Sequence, residues 1–451
     1  MREWNMIKDL TKGSPDRLLW TFTLPMLGSV VFQQLYNIVD SVVAGKFIGD
    51  EALAAVGASY PITMIFMAVA IGMNVGCSVI ISQLFGAGQY GKMKTAIFTS
   101  LISSAVLSLV MTFGGLVFCS RLLRLLNTPD NIFGDSEVYL VIYTAGLLFV
   151  FLYNICTGTF TALGDSMTPL CFLVASSLGN IALDLFFVIG LKMGVSGVAW
   201  ATFIAQGIAA ILAFAVLLRR LGKIEASEYR KFSVPMLGRI ARMAVPSILQ
   251  QSFVSVGNLF VQGVVNSYGS AVIAGYSAAI KLNTFTITLF TTLSSALSSF
   301  SAQNIGAGLI RRVRDGMRSG VRIALAVSLP FTVLYLAFGG SVMRIFVSST
   351  SADVIAVGKT FLGIVAPFYF PVSIKLVCDG VLRGGEAIAC FMFTTFSDLI
   401  LRVVLVFILP LKFGSAGIWM AWPIGWIVAM IFSLYFYKTE KWNHMNRNKS
   451  V

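Results

Sequence analysis

The sequence predicts an all-α integral membrane protein of twelve spanning helices, arranged as two six-helix lobes related by a parallel pseudo-two-fold repeat. Three observations predict it. Of the 451 residues, 57% are hydrophobic and only 12% charged, against roughly 25% charged in an ordinary soluble domain. Runs of about 20 or more apolar residues recur along the whole chain, each long enough to cross about 30 Å of hydrocarbon as a helix rising about 1.5 Å per residue. The second half of the chain repeats the first at an offset of 220 residues.

Apolar runs divided by Gly, Pro and charged breaks place spans at 17–47, 52–85, 93–119, 136–162, 168–190 and 195–219, then at 236–267, 271–305, 313–340, 355–382, 388–410 and 414–437. The runs are apolar all round, which argues against a transmembrane barrel with its short alternating segments. Residues 1–16 carry no small-residue cleavage site after a short apolar core and are expected to stay as a cytoplasmic N-terminus. The expected divisions are an N-lobe at 17–221, a cytoplasmic linker at 222–235, a C-lobe at 236–438 and a cytoplasmic tail at 439–451. On this arrangement 23 of the 33 Lys and Arg fall on one side, seven on the other and three within spans. The positive-inside rule then puts both termini in the cytoplasm, as for a bacterial-type inner membrane. Anionic headgroups account for the net charge of +14, and no nucleic-acid partner is expected.

The repeat is specific. Gln83, Gly86, Ala87 and Gly88 superimpose on Gln303, Gly306, Ala307 and Gly308, each set closing a span; the same offset pairs Gly164 with Gly384, Gly194 with Gly414 and Gly197 with Gly417. An offset of 221 pairs Pro25 with Pro246 and Asn37 with Asn258. Six spans per copy bring both copies in from the same side, the parallel repeat of a transporter. Thr168 followed by Pro169 reads as a helix cap and first-turn proline. Pro25 and Pro246 either permit a bend in the first span of each half or mark a static kink.

The six cysteines are scattered singly with neither a CxxC pair nor metal spacing, and read as small core hydrophobes. The only histidine, His444, lies in the tail, which removes an imidazole relay and the usual metal ligand from the membrane interior. No enzyme and no cofactor are expected.

Titratable groups within the spans are therefore carboxylates and amines. An ionised carboxylate at the centre of a spanning helix costs about 2.5–3.5 kcal/mol. Counting helical rise from the outer ends of their spans puts Asp40 about 13 Å, Asp184 about 9 Å and Thr202 about 10 Å deep. Asn180, four residues before Asp184, shares its face. Four oxygen-bearing side chains at one depth make either a sodium site or a carboxylate pair that keeps one proton; the alternative is that they only pin helix packing. In the second half Asp398 and Arg402, and likewise Lys375 and Asp379, stand four apart, a spacing for internal ion pairs. Lys281 either snorkels or lines a cavity.

The stretches LPMLGSVVFQQLYNIVDSVVAGKFIGDEALAAVG (24–57), TALGDSMTP (161–169), GNIALDLFFVIGLKMGVSGVAWAT (179–202) and VLRGGEA (381–387) resemble the multidrug and toxic compound extrusion (MATE) family over nearly the whole chain. The resemblance implies two six-helix lobes around a central cavity and antiport of amphipathic, often cationic, drug-like molecules against H⁺ or Na⁺, by a monomer surrounded by lipid. It matches Asp40, Asn180, Asp184 and Thr202 to the cation-binding residues of the N-lobe. Tyr36 and Tyr139 then back these four, and Gln34 and Lys281 are assigned, with those tyrosines, to the supporting groups or the cavity wall. The family's second-lobe acid is missing from the seventh span, which holds Gln250, Gln251 and Asn258. A lipid or lipid-linked oligosaccharide flippase of the same superfamily is the alternative; its pyrophosphate would call for several basic residues, and only Lys281, Lys375 and Arg402 qualify. An intramembrane enzyme is a third and weaker reading.

Overall fold

The computed structural model describes residues 8–47, 49–226, 228–346 and 352–443, with the side chains of 37–46, 50, 53, 345 and 346 left out. Among the described residues the protein is all helical: α1 (Pro15–Phe47), α2 (Asp50–Gly86), α3 (Tyr90–Leu125), α4 (Asp130–Ala145), α5 (Leu147–Ala162), α6 (Met167–Leu185), α7 (Val195–Lys223), α8 (Val234–Asn266), α9 (Ser270–Gly306), α10 (Ile310–Phe346), α11 (Ala352–Val365), α12 (Tyr369–Gly384), α13 (Ile388–Ile408), the single turn α14 (Pro410–Phe413) and α15 (Ser415–Lys438). Ten helical stretches are long and apolar enough to cross a membrane, and α4 with α5, bent by 47° at Gly146, makes an eleventh. The remaining long helix, α9, has 37 residues but carries Lys281, Asn283 and a run of Ser and Thr that lowers its hydropathy. Among the described residues ten or eleven of the twelve expected spans are thus apolar enough to cross a membrane, with α9 in the place of the remaining one, and the protein is a multi-pass membrane protein.

Two compact units form. Unit 1 comprises Met1–Asp9 and Gly28–Leu249; unit 2 comprises Leu10–Leu27 and Gln250–Val451. The division passes through α1 and α8, so each half of the sequence lends the first part of its first helix to the other unit. Pro25 and Pro246 each stand within one turn of that changeover, and both helices run through their proline. The duplicated glutamines receive the exchanged pieces. In unit 2, Gln303 Oε1 accepts from the Leu10 backbone N–H at 2.9 Å; in unit 1, Gln83 Oε1 accepts from Arg239 Nη2 at 2.8 Å.

Within unit 1, α2 packs against α3, α4 and α5, and α6 against α7; within unit 2, α9 packs against α10, α11 and α12, and α13 against α15. The α2–α8 crossing is close because Gly72 and Gly76 present no side chain. A Cβ on Gly76 would lie 2.6 Å from the Ala244 nitrogen, and one on Gly72 2.6 Å from the Ile248 nitrogen. Small residues four apart let helix backbones meet where lipid supplies no hydrophobic drive. Gly76→Ala has to push two backbones apart and is expected to cost about 1–3 kcal/mol, read as a lowered unfolding midpoint of the detergent-solubilised protein; an unchanged midpoint contradicts the tight crossing.

The repeat extends to backbone angles. Gly194 before α7 has φ 61° and ψ −138°, and Gly414 before α15 has φ 56° and ψ −146°, a region open to glycine alone. Elsewhere the register differs from the sequence pairing: the left-handed residue that ends α5 is Gly164, but the one that ends α12 is Glu386, not Gly384. The offset is 222 there, two residues beyond the 220 that pairs Gly164 with Gly384.

Four cysteines are buried as expected, but Cys171 is exposed and Cys390 half-buried, so they are not uniformly core residues. His444 lies outside the described residues.

Candidate functional site

Helix α6 carries the polar residues on which the site is built. Its start is fixed by Asp165, whose Oδ1 accepts from the backbone N–H of Met167 at 3.1 Å and of Thr168 at 3.0 Å. The other carboxylate oxygen pairs with Arg220 from α7, and Arg220 Nη2 also donates to Thr168 Oγ1 at 2.8 Å. The capping side chain is therefore that of Asp165, one residue before the Ser166 cap position, and not that of Thr168, which lies inside the first turn as a buried acceptor. Asp165 is 2% exposed, so its charge depends on these donors and on Arg220, which also lies over the Phe160 ring at 5.1 Å. Sequence reading passed over this pair; the signal was an acid two residues ahead of an apolar run. The consequence is that α6 is locked to α7 before its polar face begins.

That face holds Ser177, Asn180 and Asp184, all buried, with Asn180 3% and Asp184 1% exposed. The Tyr36 hydroxyl from α1 donates to Asn180 Oδ1, so the structure brings this tyrosine and this asparagine together. Directly after Asp184 and Leu185 the helix widens into one π turn, Phe186–Gly190, closed by the Leu191 N–H bonding Phe186 O at 3.0 Å. Such widened turns recur at functional sites because they re-aim the flanking side chains. Here the turn also separates the Asp184 level from the Gly194 break. Unit 2 interrupts its matching helix at the same place with Pro410, which opens α14.

Thr202 is half-buried on α7, the helix packed against α6. Asp40 lies on α1, and its side chain is outside the described residues. Gln34 and Tyr139 are half-buried on α1 and α4; Tyr139 stacks on Tyr143 with ring centroids 6.3 Å apart and packs against the Ala52, Ala55, Ile132 and Val195 cluster. Lys281 is exposed on α9 in unit 2, so it belongs to a different unit from Asn180 and Asp184. Chemically, the described group offers one carboxylate, one amide oxygen and one phenol oxygen in an apolar helical unit. Hard oxygens of this kind suit a proton or an alkali-metal ion and offer nothing to a soft metal.

Unit 2 forms both ion pairs that the four-residue spacing suggested. Lys375 Nζ meets Asp379 Oδ2 at 2.7 Å, and Arg402 Nη2 meets Asp398 Oδ2 at 2.7 Å. Asp379 Oδ1 accepts in addition from Thr394 Oγ1 at 3.1 Å and Ser433 Oγ at 2.8 Å.

Comparison with known proteins agrees with this architecture. The MatE family model matches residues 25–186 and 246–408, two stretches that begin 221 residues apart and end 222 apart, as the repeat requires. The chain is similar to a Bacillus subtilis protein named probable multidrug resistance protein YpnP, 28% identical over 97% of this chain and 98% of the relative. It is also similar to the multidrug export protein MepA of Staphylococcus haemolyticus, 24% identical over 90% of each. A solved structure described as the outward-facing conformation of a multidrug resistance MATE family transporter shares the fold with a TM-score of 0.90, at 23% identity over 98% of this chain and 99% of that one. With most of the chain covered by the family model, and both halves of the duplicated fold in place, the chain belongs to the MatE family of multidrug efflux transporters.

Proposed function

We propose that the protein is a secondary active exporter that exchanges amphipathic or cationic small molecules for H⁺ or Na⁺ by alternating access, with the ion held at Asp40, Asn180, Asp184 and Thr202. The observation that carries this reading is Asp184, a carboxylate 1% exposed within an apolar helix, one turn from an amide held by the Tyr36 hydroxyl of another helix. An ionised carboxylate at the centre of a spanning helix costs about 2.5–3.5 kcal/mol, so occupancy by a proton or a sodium ion changes the energy of the packing around it. The Tyr36–Asn180 bond carries that change from α6 to α1. Helix α1 starts in unit 2 and ends in unit 1, so a change in how α6 holds it acts on a helix shared by both. Tyr139 and Gln34 support the site or the substrate path, and the ion is the only non-protein component of the cycle besides the substrate.

The substrate class follows the names of the relatives. The monomer is set in a bacterial cytoplasmic membrane, with both termini on the cytoplasmic side as the distribution of Lys and Arg favours. Flippase activity on a pyrophosphate is less well supported, since Lys375 and Arg402 are committed to Asp379 and Asp398. The test is reconstitution into liposomes and measurement of dye efflux under an imposed pH gradient and, separately, an imposed Na⁺ gradient. Efflux driven by one of them is expected. Efflux indifferent to both rejects ion-coupled antiport.

A further inference from the structure

The duplicated fold allows unit 2 to be compared with unit 1 residue by residue. Asp184 and Thr202 sit on α6 and α7, and the helices in the same places of unit 2 are α13 and α15. The offset that pairs Gly194 with Gly414 pairs Thr202 with Trp422. The same offset places Asp184 on Val404, so the acid is not repeated in register; α13 holds its own acid six residues earlier, Asp398, only 8% exposed. Unlike α6, which contains neither Lys nor Arg, α13 supplies a cation of its own one turn later. Arg402 Nη2 donates to Asp398 Oδ2 at 2.7 Å, and the guanidinium carbon lies 5.4 Å from the centre of the Trp422 ring.

The surroundings are shaped for that ion. Asp398 Oδ1 is buried with no hydrogen-bond partner among the described residues, and it rests against Gly425 of α15, where a Cβ would come within 2.3 Å of it. The carboxylate lies hard against α15 because that position lacks a side chain. Where unit 1 has the hydroxyl oxygen of Thr202, a ligand for a small hard cation, unit 2 has an indole face, which favours a planar, weakly hydrated one.

We propose that Asp398, Trp422 and Gly425 form a cation site on α13 and α15, the helices of unit 2 that match α6 and α7, and that the Arg402 guanidinium is its resident, covalently tethered ion. A guanidinium does not deprotonate in proteins and a tethered one does not leave. That site therefore holds the same cation throughout the cycle and exchanges no ion with solution. Without the Arg402 arm, the site takes a free guanidinium-type organic cation in preference to sodium. The comparison with unit 1 rests on the reading of the Asp184 cluster as a cation site; the ligand preference of the unit 2 site does not.

The test uses full-length Arg402→Ala protein in detergent and follows its thermal unfolding with methylguanidinium chloride at about 20 mM, against NaCl and KCl at equal ionic strength. The variant is expected to melt below the unsubstituted protein and to recover by at least ~2 °C with methylguanidinium but not with Na⁺ or K⁺, as a ligand bound only by the native state requires. The unsubstituted protein, its site filled, and the Asp398→Asn/Arg402→Ala double variant are expected to show no such ion-specific rise. Absence of a specific rise in Arg402→Ala, a rise matched by Na⁺, or an equal rise in the double variant overturns the proposal. Arg402→Gln is read in the same way. If neither single variant survives solubilisation, the yield of monodisperse protein with and without methylguanidinium is the measurement: rescue confined to the single variants supports the site, and its absence refutes it. None of these readings depends on transport, so a failure of Asp184 as the coupling residue is told apart from a failure here.

Discussion

Asp184→Asn is expected to reduce gradient-driven efflux at least about ten-fold while leaving folded, membrane-inserted protein at normal levels. The substitution keeps the size and shape of the side chain, so its packing on α6 one turn from Asn180 is preserved. What it removes is the ability to change charge, and a site that no longer alternates between charged and neutral has nothing to couple. Stability moves the other way. An ionised carboxylate 1% exposed in an apolar unit carries a burial cost that a neutral amide avoids, up to about 2.5–3.5 kcal/mol. The unfolding midpoint of the variant is therefore expected to match or exceed that of the unsubstituted protein. Efflux at the full rate from Asp184→Asn rejects the coupling site; lost efflux together with a collapsed midpoint shows that Asp184 serves packing instead.

The positions of the helices were legible because lipid imposes a simple rule: every stretch must be long, apolar and internally hydrogen-bonded, and such stretches are visible in composition. The face carrying Asn180 and Asp184 was legible for the same reason, since four residues make one helical turn and polar groups stand out in an apolar run. Other features depend on atoms brought from far along the chain. Tyr36 and Asn180 are 144 residues apart, and the partners of Asp379 come from Thr394 and Ser433 on two further helices. The π turn at Phe186–Gly190 changes the helical pitch without changing hydropathy, so an apolar count passes straight through it. The exchange of the first parts of α1 and α8 between the units leaves two traces in the sequence, the repeated proline and the repeated glutamine, and neither shows that Gln303 bonds Leu10 or that Gln83 bonds Arg239.

The largest stability effect is expected at Asp379. This carboxylate is fully buried and joins three helices of unit 2: Lys375 on its own α12, Thr394 on α13 and Ser433 on α15. Asp379→Ala leaves the Lys375 ammonium, 5% exposed, with no counter-ion in an apolar interior and strips Ser433 of its acceptor. Breaking a buried pair from one side costs about 3–5 kcal/mol. Lys375→Met is the milder change, because the remaining carboxylate keeps both hydroxyl donors, whereas Asp379→Ala removes the one acceptor shared by Lys375, Thr394 and Ser433; about 1–3 kcal/mol is expected there. Replacing both, as Lys375→Met with Asp379→Leu, removes two desolvated charges together and is expected to cost less than Asp379→Ala alone. Thermal unfolding of the three proteins in one detergent ranks them. If Lys375→Met proves the most damaging, the ammonium has a second partner that matters more than Asp379, and the pair is not the clamp that holds α12 against α13 and α15.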